Sequence, residues 1–103
     1  MSKIGVIGDR DTVLVFGALG VTVLATDDFR EASRKIAAWV REGYAVIFVT
    51  EPLAAQMQQV FDQYKSNPDV ALIIIPNNGG STGVGLANIK KSVEKAIGAD
   101  ILK

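Results

Sequence analysis

Two carboxylates, Asp9 and Asp11, follow the first apolar segment at residues 4–8 and are well placed to carry chemistry. In a βα unit, this position is where a dinucleotide binds. The dinucleotide fingerprint is G-x-G-x-x-G, whereas this segment reads G-x-x-G-D-R-D, and its carboxylates would face a pyrophosphate with like charge. The spacing therefore favours a tight strand-to-helix turn in which Asp11 caps the following helix.

The same carboxylates could form half of a magnesium site, as in phospho-receiver domains of similar topology. Such a site also needs a phosphorylatable Asp at the end of the third strand, where this chain has Thr50-Glu51-Pro52. The fourth apolar segment ends in Ile75-Pro76 rather than in Ser or Thr, and no fifth strand follows to supply a Lys. The sequence therefore does not predict a receiver site.

A glycine-rich segment at residues 79–85 is similar to a phosphate-binding loop in composition only. A P-loop reads G-x-x-x-x-G-K-[ST], because its Lys neutralises the β and γ phosphates. Here Gly85 is followed by Leu86, so we interpret the segment as a linker. The chain also has no Cys and no His, which excludes disulfides, thiolate nucleophiles and His-dependent relays. We expect no cofactor, no metal site and no catalytic set.

Length and composition describe one globular domain of 103 residues, with 49% hydrophobic and 21% charged residues. Lys and Arg number 11, as do Asp and Glu, so the formal net charge is zero. A neutral chain lacks the basic footprint of a nucleic-acid or anionic-membrane binder.

No apolar run approaches the roughly 20 residues of a membrane span, and Met1-Ser2-Lys3-Ile4 leaves no room for a signal peptide. We expect a soluble cytosolic domain without direct membrane insertion.

Four short segments rich in β-branched residues predict strands at residues 4–8, 21–25, 45–49 and 70–75. Three of them are continuously apolar, which is typical of strands buried on both faces of a parallel sheet, whereas Val21-Thr22-Val23 has the alternation of an edge strand. Helical patterns separate the strands, so the chain is predicted to be an α/β protein with an open four-stranded parallel sheet. Right-handed crossovers favour the flavodoxin-like (Rossmann-like) strand order 2-1-3-4.

Caps and apolar spacing predict the helices between these strands. The first helix is expected from Thr12 to about Leu19, and the second is capped by Asp28 and ended by Gly43. The third begins with Thr50-Glu51-Pro52, where Pro is tolerated in the first turn. The predicted apolar faces are Phe29, Ala32, Ile36 and Val40 in the second helix, and Leu53, Met57, Val60, Phe61 and Tyr64 in the third.

The last predicted helix carries an apolar stripe with 3-4-3 spacing, which is typical of a coiled-coil seam. We predict a globular α/β domain at residues 1–76, a Gly-rich hinge at 77–85, and a mobile C-terminal helix with its tail at 86–103. The helix could pack on its own sheet or bind a partner, and the apolar fourth strand at 72–75 is an edge that also favours docking. The predicted partner-binding residues are Leu86, Ile89, Lys90, Val93, Ala96 and Ile97.

Taken together, several segments resemble the F subunit of the V/A-type rotary ATPases, the vacuolar-type ATP synthases of bacteria and archaea. The matching residues are 3–13, Val49-Thr50-Glu51, Ile75-Pro76, Gly80-Ser81-Thr82-Gly83, Ile89 and 93–102, so the resemblance covers essentially the whole chain. One departure lies in the first helix, where Phe16-Gly17-Ala18-Leu19-Gly20 lacks the Arg that the family carries between the aromatic residue and the Leu.

The resemblance implies a non-catalytic central-stalk (rotor) subunit without a cofactor. Such a protein would dock on the D subunit, which is the coiled-coil shaft of the rotor, and would couple or modulate ATP hydrolysis or synthesis with ion transport. It would be cytoplasmic and peripheral to the inner face of the cell membrane, held there through the ATPase complex. The alternative is a stand-alone flavodoxin-like domain that binds a small molecule or relays a phosphoryl group.

Overall fold

A computed structural model describes residues 3–77 of the chain. Their α/β class is the predicted one, whereas the predicted C-terminal helix and residues 78–85 of the predicted hinge lie outside the described residues. In chain order the elements are β1 (Lys3–Gly8), α1 (Arg10–Gly17), β2 (Thr22–Ala25), α2 (Phe29–Arg41), β3 (Tyr44–Thr50), α3 (Glu51–Ala54), α4 (Gln58–Tyr64) and β4 (Ala71–Ile75).

The four strands form one open sheet in the order β2-β1-β3-β4, which confirms the predicted order 2-1-3-4. Every strand pair is parallel, with β1 between β2 and β3, and β3 between β1 and β4. The two inner strands are buried along most of their length, which explains their continuous apolar sequences. β2 is largely exposed, as expected of the edge strand predicted from its alternation.

The core lies in two layers, because successive residues of the inner strands point to opposite faces of the sheet. On one face, Ile7 and Ile47 belong to a cluster that also contains side chains of α2 and α3. On the other face, Val6 and Phe48 belong to a cluster that contains Phe16 of α1, whose ring centroid lies 5.4 Å from that of Phe48. The helices therefore cover both faces, as in other doubly wound α/β folds.

An irregularity at the start of β3 changes which face its first side chain meets. Lys3 is paired with Tyr44 and Ile4 with Val46, so Ala45 is an extra residue in the ladder. Tyr44 and Ile47, three residues apart, consequently share the α2 face of the sheet. There Tyr44 stacks on Trp39 of α2, with ring centroids 4.9 Å apart and ring planes 10° from parallel.

The first helix begins two residues earlier than predicted, and its cap is Asp9 instead of Asp11. The main-chain N–H of Thr12 donates to Asp9 Oδ2 at 3.0 Å, whereas Asp11 lies in the first turn and is exposed. The helix starts at Arg10 because the chain turns directly out of β1, which leaves Asp9 in the extended conformation of an N-cap. It also ends earlier, at Gly17 instead of Leu19.

The cap and the end of α2 are as predicted, and so is its buried face except at Phe29, with Val40 partly buried against the core and Trp39 added to it. Asp28 Oδ1 accepts from the N–H of Arg30 at 2.9 Å, and Gly43 has a positive φ of 88° just beyond the helix. The fully buried side chains of α2 are Ala32, Ile36 and Trp39. Phe29, predicted for this face, is 39% exposed, because it is the first residue of the helix and lies outside the Ala32–Ile36–Trp39 stripe.

The single helix predicted after β3 is two helices, α3 and α4, broken at Met57. Met57 leaves the helical region, with φ −125° and ψ 30°. Its N–H donates to Ala54 at 2.9 Å, and the N–H of Gln56 donates to Leu53 at 3.0 Å, so α3 ends in a tightened turn of i→i+3 bonds. The break leaves the Met57 side chain only 2% exposed in the α2-side cluster.

Candidate functional site

The partner-binding residues predicted from the sequence all lie outside the described residues, so their role stays a prediction. They are Leu86, Ile89, Lys90, Val93, Ala96 and Ile97. Within residues 3–77, three features of the surface bear on function: the edge of β4, a cavity at the carboxyl ends of the strands, and an apolar surface on α1 and β2.

The edge of β4 is strongly apolar, as its sequence predicts. In the part of the chain that the structure describes, β4 pairs with β3 alone and forms one border of the sheet. Its middle residues Ile73 and Ile74 are 36% and 53% exposed, whereas Ile75 is 2% exposed. We call residues 71–75 the β4 edge. An uncharged edge of this kind is able to accept a further strand through its main chain.

An open groove of about 700 Å³ lies beside the β4 edge. Phe61 and Tyr64 of α4 line it together with Leu72 of β4, and all three also pack against the α2-side cluster. Charged side chains of both signs border the same groove, namely Asp62, Lys65 and Asp69. The groove therefore combines a preformed apolar floor with a mixed-charge rim.

A second cavity lies at the carboxyl ends of β1 and β3, where ligands bind in doubly wound folds. Its volume is about 100 Å³. Ligand pockets have about 300–1,000 Å³, so this cavity, as residues 3–77 form it, is smaller than a typical ligand pocket. Its lining residues are Asp9, Thr26, Asp27, Thr50, Pro52, Leu53, Gln56 and Asn77.

The carboxylate of Asp9, whose sequence context does not predict a nucleotide or magnesium site, caps α1. Its oxygens accept hydrogen bonds from the Thr12 hydroxyl at 2.8 and 2.9 Å as well as from the Thr12 main chain. Thr50, which stands at the end of β3, is 2% exposed and packs on Gly8. Within residues 3–77, no group of three His, Cys, Asp or Glu side chains is placed to hold a metal ion.

Sequence patterns did not reveal the apolar surface on α1 and β2, where Leu14 is 60% exposed and Val23 is 42% exposed. The two elements lie close together at Gly17, where a Cβ built on the glycine would lie 3.6 Å from Val23 Cγ1. None of the helices within residues 3–77 has the length and apolarity needed to cross a bilayer.

Comparison with known proteins gives a consistent result over nearly the whole chain. The chain is 49% identical to the F subunit of a V-type ATP synthase from Fusobacterium nucleatum, over 99% of this chain and 97% of that protein. It is 43% identical to the F subunit of a V-type ATP synthase from Clostridium perfringens, over 97% and 95% of the two chains. The F subunit of an A-type ATP synthase from Methanothermobacter thermautotrophicus is 31% identical over 99% of this chain and 98% of its own length.

The family model described as ATP synthase (F/14-kDa) subunit matches residues 4–93, which include the whole sheet except Lys3. The same range includes Leu86, Ile89 and Val93 of the predicted stripe. The resemblance inferred from the sequence is therefore confirmed, and the chain belongs to the ATP synthase (F/14-kDa) subunit family.

Proposed function

We propose that this protein is the F subunit of a V/A-type ATP synthase, a non-catalytic part of the central stalk that docks on the D subunit, the coiled-coil shaft of the rotor. The observation that carries the proposal is the match to proteins named as F subunits over at least 97% of this chain, both in bacteria and in an archaeon. A match of this extent includes the apolar stripe of the last predicted helix as well as the sheet. Through this contact the protein couples or modulates ATP hydrolysis and synthesis with ion transport.

The 3-4-3 spacing of the stripe supports its partner role, because such a spacing is typical of a helix that joins a coiled coil. Each large apolar residue buried against a shaft helix contributes about 1.5–3 kcal/mol before the cost of ordering. Ile89 and Val93, four residues apart, are the main anchors in this proposal, with Leu86, Ala96 and Ile97 alongside them.

Charge at the rim of this contact sets how fast it forms. Lys90, with Lys91 and Lys95 close by in sequence, would face carboxylates on the shaft. Rim charges of this kind change the association rate and its salt dependence more than the affinity. In the assembled complex the protein is cytoplasmic and peripheral to the inner face of the cell membrane, with no contact to nucleic acid.

The test is binding of the full chain to the purified shaft protein, followed by ATPase assays of the reconstituted complex with and without the chain. The double substitution Ile89→Asp with Val93→Asp is expected to weaken binding at least 100-fold and to leave the melting temperature near that of the unaltered protein. The matched control is Phe29→Asp, which places one acid on an exposed apolar residue of α2 and is expected to bind normally.

Two results would contradict the proposal. If the double variant unfolds, the stripe belongs to the protein's own core. If the folded double variant binds the shaft as tightly as the unaltered protein, the stripe is not the contact and the shaft is bound elsewhere.

A further inference from the structure

We propose that the β4 edge is a self-pairing surface, through which two copies of this chain associate by antiparallel pairing of their β4 strands. The inference is independent of docking on the shaft, because it uses only residues of the described domain. It starts from the two edges of the sheet, which differ in how they are protected.

Among residues 3–77, the strand at the β4 edge carries none of the protective features that an exposed strand usually has in its own sequence. Edge strands commonly avoid pairing with other molecules by carrying a charge, a proline or a bulge. The strand Ala71–Ile75 reads ALIII, so it has neither charge nor proline, and its register with β3 runs without a shift. The opposite edge, β2, is one residue shorter and exposes one large apolar side chain, Val23. The β4 edge, which follows Val70 and precedes Pro76, exposes Ile73 and Ile74. The β4 edge is therefore the better template for an added strand.

The sequence of β4 is self-complementary in one antiparallel register, centred on Ile73. In this register Ile73 lies opposite Ile73 of the second copy, and Leu72 lies opposite its Ile74. Antiparallel strands related by a two-fold axis perpendicular to the sheet keep the same face upward in both copies. Leu72 and Ile74 are two residues apart and share the α4 side of the sheet, so this pairing matches like faces.

This register places the Ile74 side chain of one copy at the groove beside β4 of the other copy. Ile74, 53% exposed, would arrive opposite Leu72 of the other copy, beside Phe61 and Tyr64 on the groove's apolar floor. The two-fold symmetry makes the contact reciprocal, so each copy inserts its Ile74 side chain into the groove of the other. In this isologous contact both copies use the same β4 edge, so the assembly stops at two copies. If the β4 edge of one copy paired with the β2 edge of the next, each end of the assembly would keep a complementary free edge and a filament would grow.

Charge does not oppose this association. The formal net charge of the chain is zero, so two copies do not repel each other at a distance. Beyond the paired strands, Asp69 of one copy would lie near Asn77 of the other, which is an acceptor beside a potential donor. The contact is small because each copy contributes only one short strand and one groove. We therefore expect a weak dimer, with a Kd on the order of 0.1–1 mM.

The first experiment is sedimentation equilibrium of the full chain at concentrations up to about 1 mM, with two-dimensional NMR of the same samples. The average mass should rise toward that of a dimer with concentration, with amide shifts in residues 71–75 and not in residues 22–25. Ile74→Glu should stay monomeric with an unchanged melting temperature, because its carboxylate would have to lie on the apolar floor formed by Phe61, Tyr64 and Leu72. The control Val23→Glu, on the β2 edge, should dimerise normally.

The second experiment tests the register. Ile73→Glu and Ile73→Lys should each be monomeric, since like charges would lie directly opposite each other, and their equimolar mixture should form a heterodimer. The proposal fails if the unaltered chain remains a monomer to about 1 mM, or if the mixture remains monomeric. It also fails if the dimer survives Ile74→Glu but is abolished by Val93→Asp, because the stripe would then be the contact.

Discussion

The indole ring of Trp39 packs directly on Gly5, so that a Cβ built on Gly5 would lie 2.6 Å from Trp39 Cε3. Trp39 is 3% exposed and is stacked on its other partner, Tyr44, so the ring has little room to withdraw. The contact joins α2 to β1, one of the two inner strands of the sheet. It explains why a residue without a side chain stands in the middle of β1.

We expect Gly5→Ala to lower the free energy of unfolding by about 1–3 kcal/mol, the usual cost of overpacking a close-packed core. Urea denaturation followed by the fluorescence of Trp39, the only Trp in the chain, measures this change. The control is Gly17→Ala, whose new Cβ would lie in ordinary contact, 3.6 Å from Val23. That variant should be as stable as the unaltered protein or up to about 1 kcal/mol more stable.

The cap of α1 distinguishes Asp9 from its neighbour Asp11. We expect Asp9→Ala to lower the free energy of unfolding by about 0.5–2 kcal/mol, because it removes the acceptor for the N–H and hydroxyl of Thr12. Asp9→Asn keeps an acceptor and should lose less. Asp11→Ala, in the exposed first turn, should change stability by no more than about 0.5 kcal/mol. Equal losses at the two positions would show that the cap is not at Asp9.

A hydrogen bond from the Tyr44 hydroxyl to Thr22 Oγ1, 3.2 Å long, connects β3 to β2 although β1 lies between them. Tyr44→Phe is expected to lower the free energy of unfolding by about 0.5–1.5 kcal/mol. In a double-mutant cycle with Thr22→Val, the second substitution should cost less than it does alone. Strictly additive losses would mean that the two hydroxyls do not interact in solution.

The end of α2 depends on the backbone of Gly43, whose φ is 88°. Gly43→Ala should lower the free energy of unfolding by about 1–2 kcal/mol, since a Cβ disfavours this left-handed conformation. Gly43→Asn should recover part of the loss, because Asn tolerates the conformation better than other residues with a Cβ. Thermal melts of the two variants compare them directly, and an Ala variant as stable as Gly would contradict the interpretation.

The sheet was predictable from the sequence because burial on both faces leaves a direct trace, as in Tyr44–Thr50. The helix details were less accessible. Asp9 and Asp11 are both reasonable caps in sequence, and only the tight exit from β1 selects Asp9. Met57 continues a helical apolar spacing from Leu53, so the break between α3 and α4 leaves no mark in the pattern. The bulge at Ala45, which turns Tyr44 toward Trp39, is likewise invisible without its partner strand.

The candidate site was predictable to a different degree at each place. The apolar border formed by β4 follows from its sequence, because four of its five residues are large and aliphatic. The groove beside it depends on where α4 ends and on the turn that follows, and local patterns do not encode that arrangement. The partner-binding stripe, beginning at Leu86, stays a prediction from heptad spacing and family resemblance.

The parallel order β2-β1-β3-β4 also determines which strand pairs can form while the chain is being synthesised. β1 is synthesised first, yet it is an inner strand of the sheet. Its pairing with β3, in which Lys3 lies opposite Tyr44, can form only after β3 has been synthesised. A nascent chain that ends before β3 therefore exposes one side of a strongly apolar strand. The sheet can therefore be completed only after most of the domain has been synthesised, and until then the unpaired side of β1 is available to other strands.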